Sequence, residues 1–388
     1  MSRPSSGRMG VGIVGCGTIS AAYLRGCRTF DILDVVAVAD LDRARAEARA
    51  AEFGVPRVLE VDELLRDPVV ELVVNLTVPA AHAVLSLAAI DAGKHVYVEK
   101  PLALDRDEGS RVVQAAERAG VQVGCAPDTF LGGGLQTCRA AIDAGVIGRP
   151  LSATAYMLSR GPESWHPDPG FLYEPGAGPL FDMGPYYLTA LVSLLGPVAK
   201  VAGSATIGIE ERTVGSGPRA GTTFRPSTPT HVTGLITFAS GVAATLTTSF
   251  EVGASEHPRL EIHGTEGTLS LPDPNRFGGP VRLRTVGDGA WRELPLTHGR
   301  TDDRRGLGAA DLAHAVRAGR PARAGATQAL HVLDVMQTIL EAAEAERTLR
   351  VESRVERPAP LDPGLPDGVL EGGWRGADGT RREETTHD

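Results

Sequence analysis

Lys100 is the side chain in this sequence best placed to do chemistry. It stands in the run Val98-Glu99-Lys100-Pro101, directly after an apolar segment and before a proline, which fixes its own φ angle and lacks an N–H donor. These neighbours predict an ammonium held at the carboxyl edge of a sheet, with Glu99 available as its ion partner. Such a charge can hydrogen-bond a substrate hydroxyl and stabilise the alkoxide that forms as hydride leaves.

A glycine-rich turn lies about 85 residues before that lysine. The run Gly15-Cys16-Gly17-Thr18-Ile19-Ser20 follows the apolar segment Val11 to Val14 and precedes a predicted helix. In a dinucleotide-binding turn the first glycine makes the bend, the second lets the backbone approach the pyrophosphate, and a small third residue allows close packing. The sequence therefore predicts dinucleotide contacts from Gly15, Gly17, Thr18 and Ile19.

A second glycine pattern matches the usual motif more literally. Gly10, Gly12 and Gly15 have the spacing G-x-G-x-x-G, but the first two fall inside the predicted strand, where they cannot form the turn. We therefore assign the motif to Gly15 and Gly17, with Ser20 replacing the usual glycine or alanine. An ordinary strand-turn-helix is the alternative that one such motif leaves open.

An acidic residue ends the second predicted strand. Asp40 lies 25 residues after Gly15, close to the spacing at which a carboxylate accepts hydrogen bonds from the adenosine ribose hydroxyls. Because a carboxylate there repels the 2′-phosphate of NADP, the sequence predicts NAD as the preferred coenzyme. Arg43 is near enough to leave NADP open, and a solvated aspartate at a strand end is the structural alternative.

Polar residues also follow the third predicted strand. The run Asn75-Leu76-Thr77-Val78-Pro79 comes at the carboxyl end of that strand, where ligands of open parallel sheets bind. Thr77 and Pro79 are predicted to line the coenzyme, and Pro79 is predicted to begin the helix that carries His82. His82 is a candidate for the same site, with capping or packing as the alternative. Glu99-Lys100, after the next strand, is predicted to border the coenzyme too.

A third element combines an aspartate with a tyrosine. The glycine-rich segment 176–186 contains Asp182 and Tyr186 and leads into an apolar helix predicted over Tyr187 to Leu195. Asp182 suits the N-cap of this helix, and Tyr186, four residues later, would share its face. The positive helix end and Lys100 would lower the pKa of the phenol from about 10, so that it could act as a general base. A buried tyrosine after an ordinary cap is the alternative.

Further side chains are candidates for substrate contacts. Trp165 and His166 adjoin in a loop upstream of that helix, and such a pair suits a sugar ring, with one side chain stacking on its face and one hydrogen-bonding its edge. Asp128 could supply a polar contact to the same ligand. A purely structural role is the alternative for each. The predicted substrate-binding residues are thus Lys100, Asp128, Trp165, His166, Asp182 and Tyr186.

A parallel sheet is needed to bring these residues together, and the first third of the chain predicts one. Apolar strands alternate with amphipathic segments of helical length, the pattern of an α/β fold. The predicted strands are Val11 to Val14, Val35 to Ala39, Leu72 to Leu76, Val96 to Glu99 and Val121 to Cys125. The predicted helices are Ile19 to Phe30, Arg43 to Phe53, Ala80 to Ala92 and Arg106 to Ala119.

Beyond Ala126 the pattern changes to β-rich runs separated by glycine and proline loops, which predicts a second domain of α+β type with antiparallel pairing. Hairpins are predicted over Thr233 to Phe250 and over Val281 to Leu296, with a polar, glycine-rich loop or arm over Gly208 to Thr230. Late helices are predicted over Leu307 to Ala318 and Gln328 to Ala345. From Arg354 onward proline, glycine and charge dominate, which predicts a disordered tail over 354–388.

Composition excludes several classes of partner. The 388 residues include 48 acidic and 39 basic ones, a net charge of -9, and the basic residues are scattered singly, which disfavours nucleic acid and anionic membranes. The first ten residues are polar and no apolar run approaches the about 20 needed to span a bilayer, so we expect a cytoplasmic protein. The cysteines lack C-x-x-C spacing and a histidine cluster, so neither a metal site nor a disulfide framework is expected.

Taken in order, the glycine turn, Thr77-x-Pro79-x-x-His82, Glu99-Lys100-Pro101 and the run to Asp182 resemble the glucose-fructose oxidoreductase, inositol dehydrogenase and rhizopine-catabolism family, written Gfo/Idh/MocA. The likeness covers residues 9 to about 350. It implies an N-terminal doubly wound Rossmann domain over 9–126 and a C-terminal α+β domain over 127–353. The largely antiparallel open sheet of that second domain commonly forms the interface of a homo-dimer or homo-tetramer.

The resemblance also implies an NAD(P)-dependent hydride transfer to or from a secondary alcohol or ketone of a sugar, glycoside or cyclitol. Lys100 matches the family's catalytic lysine and Asp182 its substrate-binding aspartate. Many members have a histidine acting as general acid/base where this chain has Tyr186, and an acidic residue where it has Thr189. A tyrosine there resembles some sugar ketoreductases of the family. Tyr186 is therefore assigned as the base, with Lys100 or His166 as alternative proton relays.

Two other functions remain open at this stage. A glycosidase that uses NAD in a closed redox cycle, as some relatives do, would release sugar without net NADH. A non-catalytic, cofactor-sensing regulator on the same fold would bind the nucleotide without turnover, although the intact Glu99-Lys100-Pro101 argues against it.

Overall fold

The computed structural model describes residues 7–302, 305–365 and 370. Its N-terminal part is built from strands β1 (Met9–Val14), β2 (Leu33–Ala39), β3 (Leu72–Asn75), β4 (His95–Val98) and β5 (Val123–Cys125). The helices between them are α1 (Ser20–Cys27), α2 (Arg43–Phe53), α3 (Val61–Arg66), α4 (Pro79–Asp91) and α5 (Arg106–Ala119). All these strands run parallel, in the order β2-β1-β3-β4-β5. This sheet is the predicted parallel α/β element.

Burial explains the composition of the central strands. Every residue of β1 is buried, as expected when helices cover both faces of a parallel sheet. Its glycines are needed for close packing, because a Cβ on Gly10 would lie 1.9 Å from Val69 O and one on Gly12 would lie 2.7 Å from a methyl carbon of Leu64. The literal G-x-G-x-x-G therefore lies within the strand, and the assignment of the turn to Gly15 and Gly17 is confirmed.

The helix boundaries follow local capping. α2 has the predicted limits, since the Asp42 carboxylate accepts from the N–H groups of its first turn and Gly54 ends it at φ 56°. α5 also has its predicted limits and ends at Gly120, with φ 67°. α1 stops at Cys27 rather than Phe30, and the short helix α3 was not predicted.

The C-terminal part contains a second, larger sheet. Its first elements are α6 (Gly133–Asp143), β6 (Pro150–Leu158), α7 (Gly178–Leu195), β7 (Val198–Thr206), β8 (Arg212–Thr213) and β9 (Thr223–Phe224). There follow β10 (His231–Phe238), β11 (Ala243–Ser249), β12 (Leu260–Gly264), β13 (Gly267–Ser270), β14 (Val281–Thr285) and β15 (Arg292–Leu294). The last elements are α8 (Leu307–Ala318), α9 (Ala326–Glu344) and β16 (Leu349–Arg350).

This second sheet is nine-stranded, in the order β15-β14-β13-β12-β6-β11-β10-β7-β16. Among its described strands only β6 and β11 pair in parallel, so the sheet is mixed and mostly antiparallel. The two predicted hairpins are β10–β11 and β14–β15. The predicted fold class, an α/β protein with a parallel N-terminal sheet and a largely antiparallel second sheet, is confirmed.

One face of the large sheet is covered and the other is open. α7 packs on β6, β10 and β11, and α9 packs on β7. Buried residues alternate with partly exposed ones along β6 and β10, as expected for a sheet covered on one side. Among the described residues, no helix is long and apolar enough to cross a membrane.

The later part of the chain departs from the predicted layout in several places. α8 lies in the predicted second domain, but it packs against β4, β5 and α1 of the first sheet. The arm Gly208 to Thr230 contains the small hairpin β8–β9. The prediction of a disordered tail differs from the structure over 354–365, because Leu361 is buried and its N–H donates to Gln136 Oε1. The rest of that predicted tail, except residue 370, lies outside the described residues.

Candidate active site

The glycine turn lies where the strand order reverses. β1 is flanked by β2 on one side and β3 on the other, and the crevice between β1 and β3 is the usual ligand position in such sheets. Gly15 has φ 98°, and a Cβ on it would lie 2.6 Å from both C and O of Leu76. Only glycine fits this backbone. A Cβ on Gly17 would meet nothing within 4 Å, so that side of the turn is open.

The backbone after Gly17 offers hydrogen-bond donors. The N–H groups of Gly17, Thr18 and Ile19 find no acceptor among the described residues, whereas Ser20 N and Oγ both bond to Gly17 O. Unpaired N–H groups at the start of a helix attract anions, since the helix dipole adds positive potential there. The turn therefore has the open backbone and the free donors that a pyrophosphate requires.

Asp40 is held rigidly at the carboxyl end of β2. Its Oδ2 accepts from Cys16 N at 2.7 Å and its Oδ1 from Asp42 N at 2.8 Å, which ties the strand end to the glycine turn. Burial, and next the charge of Asp40, raises the pKa of the Cys16 thiol to about 11. Arg43 is engaged by Glu47 and Glu60 on the exposed face of α2. The guanidinium nearest to Asp40 is that of Arg45, at 3.9 Å.

The turn after β3 is fixed from behind. Pro79 begins α4, as predicted, and Thr77 Oγ1 donates to Asn75 Oδ1 at 2.7 Å. His82 is only 1% exposed, with Nδ1 2.6 Å from Pro101 O and Nε2 3.1 Å from Thr77 O. Burial is the main reason why its pKa lies below the ordinary value. The prediction that His82 contacts the coenzyme is not supported, because both ring nitrogens face backbone carbonyls that link this turn to the segment after Lys100.

Lys100 finds a partner that the sequence did not indicate. Its Nζ donates to Asp182 Oδ1 and to Asp182 O, both at 2.8 Å. The Glu99 carboxylate instead accepts from Tyr23 OH at 2.8 Å and from Lys100 N at 2.9 Å, so the expected Glu99–Lys100 ion pair is wrong. Glu99 is buried beside α1 and holds the backbone of the lysine, while its charge acts on the ammonium without a direct ion pair.

The charge of Lys100 is well supported. Burial by itself would lower its pKa, but Asp182, Tyr186 and Glu99 together outweigh burial and raise the pKa above its ordinary value. Lys100 therefore remains an ammonium across the working pH range and is unsuited to relaying a proton as a base. Of its three N–H donors, two go to Asp182, which leaves one for a substrate oxygen.

Asp182 does not cap its helix. α7 begins at Gly178 with Ala177 in the N-cap position, so Asp182 lies within the helix, and the N-cap prediction is wrong. Gly178, at φ 78°, makes the bend, and Pro179 suits the first turn because it needs no hydrogen-bonded N–H. Pro185 lies inside the helix, although proline usually marks a helix end. The Asp182 side chain is thereby free to hold Lys100.

Tyr186 is 7% exposed and lies between two cations. Its ring centroid is 5.6 Å from Lys100 Nζ and 5.4 Å from Arg305 Cζ. Burial raises the pKa of the phenol, and the lowering effects of Lys100 and Arg305 do not fully offset it. The predicted lowering of this pKa is therefore wrong, because a phenol in a buried helix loses more solvation than the neighbouring cations restore.

Asp128 makes contacts inside the protein rather than with a ligand. It is fully buried, and its Oδ2 accepts from Gly306 N and Gly308 N, both at 3.0 Å, at the start of α8. Its Oδ1 lies 3.8 Å from Arg305 Nη1. The suggested substrate contact from Asp128 is thus not supported. Sequence analysis missed Arg305 and Tyr23, since no local pattern indicates that either returns to the site.

Trp165 and His166 are outside this cluster. Trp165 is 68% exposed, and His166 makes edge contacts with Trp165 and Phe171. His166 Nδ1 accepts from Asp168 N, so the neutral ring carries its proton on Nε2, where it can donate but not accept. Within the described residues no hydrogen bond or ring contact joins this pair to Lys100, Asp182 or Tyr186.

The fold and the site define a class of protein: a dehydrogenase in which a dinucleotide-binding sheet supplies a fixed cation and a second sheet domain supplies the groups facing it. The chain belongs to the Gfo/Idh/MocA family. The model described as "Oxidoreductase family, NAD-binding Rossmann fold" matches residues 9–126, and the model of the GFO/IDH/MocA C-terminal domain matches residues 135–270. The family predicted from the ordered motifs is confirmed, and the protein is an oxidoreductase with an NAD-binding domain.

Curated relatives are enzymes of related chemistry. The chain is 31% identical to 1,5-anhydro-D-fructose reductase of Ensifer adhaerens over 264 residues, which cover 66% of this chain and 74% of that protein. It is 35% identical to inositol 2-dehydrogenase of Ralstonia nicotianae over 150 residues, 36% of this chain and 43% of that protein.

Solved structures with the same fold cover nearly the whole described chain. An NAD-binding oxidoreductase from Klebsiella pneumoniae aligns with a TM-score of 0.77 at 25% identity, covering 89% of this chain and 99% of that one. Levoglucosan dehydrogenase without ligand aligns with a TM-score of 0.77 at 21% identity, covering 90% of this chain and 100% of that one. The second likeness shows the common fold alone.

Proposed function

We propose that this protein is an NAD-preferring dehydrogenase that oxidises a secondary alcohol of a neutral sugar, glycoside or cyclitol, or reduces the corresponding ketone. The observation that carries the proposal is the Lys100 ammonium, held at 2.8 Å by Asp182 beside the Tyr186 ring. The relatives named as an anhydrofructose reductase and an inositol dehydrogenase support this substrate class.

The coenzyme has residues to hold it at the carboxyl edge of the first sheet. In our proposal the N–H groups of Gly17, Thr18 and Ile19 bind the pyrophosphate, and the Asp40 carboxylate accepts from the ribose hydroxyls. Thr77 and Pro79 line the nicotinamide half, and Glu99 supports the site from behind. When bound, NAD supplies the hydride acceptor next to Lys100.

In this proposal each of these residues has a defined role. Lys100 donates its remaining N–H to the substrate oxygen and stabilises the negative charge that builds there. Tyr186, as phenolate, accepts the hydroxyl proton during oxidation, and as phenol returns it during reduction. Asp182 orients Lys100 and, through its second carboxylate oxygen, accepts from a neighbouring substrate hydroxyl. Trp165 and His166 extend the substrate site outward, with Nε2–H as a donor to a ring hydroxyl.

The balance of charge favours a neutral substrate. Around the phenol, the cations Lys100 and Arg305 face the carboxylates Glu99 and Asp182. Asp128 compensates Arg305 from behind. Among these described residues, no excess of positive charge is left to attract a carboxylate or phosphate on the substrate, whereas hydroxyl groups match the donors and acceptors of the described site.

The direct test is the absorbance of NADH. The purified protein is mixed with NAD or NADP and a panel of monosaccharides, anhydrosugars, glycosides and inositols, and we expect NADH to form with at least one of them. Release of sugar from a glycoside with no net NADH would instead identify a glycosidase with an internal redox cycle. Coenzyme binding with no turnover on any compound would favour a regulator.

We further propose that the chain forms a homo-oligomer through the open face of the large sheet, defined by Thr154, Ala202, Leu235 and Thr245. Neighbouring strands place these residues side by side, since Leu235 is in register with Ala202 and Thr245, and Thr245 with Thr154. Leu235 is 58% exposed in the middle of small, uncharged side chains. An exposed apolar side chain among such uncharged neighbours suits a self-complementary interface.

A further inference from the structure

A guanidinium that no motif indicated lies against the ring of Tyr186. Arg305 Cζ is 5.4 Å from the ring centroid of Tyr186 and 5.7 Å from that of Phe277, so the guanidinium is in contact with both aromatic rings. Arg305 is only 8% exposed. At such distances a cation is attracted by the ring and, more strongly, by any negative charge that develops on the phenol oxygen.

The surroundings hold this guanidinium in place. Arg305 Nη2 donates to Asn275 Oδ1 at 2.7 Å, and Nη1 lies 3.8 Å from Asp128 Oδ1. The backbone there is pressed against α1, since a Cβ on Gly26 would lie 1.7 Å from Arg305 O. Asp128 in turn is bound by two backbone N–H groups of the α8 start. The charge of Arg305 therefore has a fixed position and a buried counter-ion.

We propose that Arg305 is a positioning residue that stabilises the phenolate of Tyr186, so that the proton acceptor works between two fixed cations. The inference rests on the proposed role of Tyr186. The groups that act on the phenol are Lys100 after β4 and Arg305 before α8, which favour the phenolate, and Glu99 and Asp182, which oppose it. Because burial alone disfavours a phenolate, a single cation would leave this tyrosine a much weaker proton acceptor.

The test compares Arg305→Gln with the double variant Arg305→Gln/Asp128→Asn, which removes both charges and so leaves no uncompensated buried carboxylate. The matched control is Arg212→Gln, because Arg212 likewise lies over a buried tyrosine, Tyr173 at 5.0 Å, and pairs with a carboxylate, Glu163 at 2.7 Å. Ionisation of Tyr186 is followed in the resting protein by tyrosinate difference absorption, with Tyr186→Phe as the background. The pH profile of alcohol oxidation is measured in parallel.

We expect the ionisation midpoint of Tyr186 to rise by about one pH unit or more in the single or the double variant, whichever folds. The alkaline limb of kcat/KM should move up by the same amount. Neither should change in Arg212→Gln. Unchanged midpoints in folded variants that lack Arg305 would overturn the proposal, as would the absence of any Tyr186 step in the native protein below the pH of unfolding. The absorbance titration needs no turnover. If no substrate is oxidised at all, the proposed function fails while the role of Arg305 is still decided.

Discussion

Lys100 keeps its positive charge in the folded protein because its neighbours outweigh the cost of burial. A lysine in that state cannot serve as a base at ordinary pH, so its contribution is electrostatic. Asp182 both sustains the charge and fixes its direction, since side-chain and backbone oxygens of the same residue accept from Nζ. At the scale of single residues, the proposed catalytic unit is therefore the pair Lys100–Asp182 rather than the motif Glu99-Lys100-Pro101.

Replacing Lys100 by methionine tests that role. Methionine keeps much of the aliphatic volume but donates no hydrogen bond, so we expect kcat to fall by about 10² to 10³ with little change in NAD affinity. Turnover and coenzyme titration measure the two effects separately. Lys94→Met is the matched control, because Lys94 lies before β4 at the opposite edge of the sheet and donates to Asp67 O. Near-native turnover of Lys100→Met would contradict the assignment.

Asp40→Asn separates charge from hydrogen bonding at the coenzyme site. Asparagine retains an acceptor for Cys16 N but loses the negative charge that opposes a 2′-phosphate. We expect the preference for NAD over NADP to fall by about tenfold or more, since a charge pair a few ångströms apart near a protein surface is worth several kcal/mol. Steady-state kinetics with both coenzymes measure this ratio.

The control is Asp42→Asn at the neighbouring carboxylate, which accepts from Ala44 N and Arg45 N at the start of α2. Asparagine caps a helix about as well as aspartate, so this change should leave both the helix cap and the coenzyme ratio unaltered. An Asp40→Asn protein with the native ratio would show that the carboxylate of Asp40 does not read the ribose.

The raised pKa of Tyr186 has a definite consequence for pH dependence. A phenol whose pKa lies above its ordinary value of about 10 is mostly protonated at neutral pH. At pH values below that pKa, the phenolate fraction, which can accept a proton, increases about tenfold with each unit that the pH rises. We expect kcat/KM for alcohol oxidation to rise steadily toward alkaline pH. Ketone reduction needs the protonated phenol and should stay flat over the same range. Tyr186→Phe should abolish the alkaline limb, and a limb that persists would assign it to another group.

At the scale of elements, the glycine turn shows what a sequence can predict. The turn was recognisable because its backbone needs glycine at Gly15 for the bend and an open position at Gly17, and both needs are local. The start of α7 was not recognisable in the same way. Asp182 and Pro185 are residue types typical of a helix start. The helix instead starts at Gly178, and its positive φ angle cannot be predicted from residue type alone.

Two alanine substitutions distinguish the tasks of those glycines. In Gly15→Ala the new Cβ would meet the Leu76 backbone at 2.6 Å and would strain a φ of 98°, so we expect a clear loss of stability, of about 1 to 3 kcal/mol, together with loss of coenzyme binding. In Gly17→Ala nothing obstructs the Cβ within the protein, so thermal unfolding should be near native while NAD affinity falls. Equal destabilisation of the two variants would contradict this division of roles.

At the scale of the whole molecule, the site is assembled by segments far apart in the chain. Lys100 comes from the parallel sheet, Asp182 and Tyr186 come from α7 on the mixed sheet, and Arg305 comes from the segment before α8, which returns to the first sheet. Strands alternating with helices predicted the first sheet, and strands following strands predicted the second, because hydrophobic periodicity is local. The counter-ion of Lys100 and the second cation at Tyr186 were not predictable, since they depend on tertiary approach alone.

The open face of the mixed sheet gives the last prediction. An arginine in place of Leu235, at the centre of that face, would place a buried, unpaired charge in any interface formed there. We therefore expect Leu235→Arg to weaken self-association by about tenfold or more, as measured by sedimentation velocity over a range of concentrations. Val84→Arg is the matched control, because Val84 is 70% exposed on helix α4, in the N-terminal part of the chain. If the native protein sediments as a monomer at every concentration, this face is not an interface. The same follows if Leu235→Arg assembles as strongly as Val84→Arg.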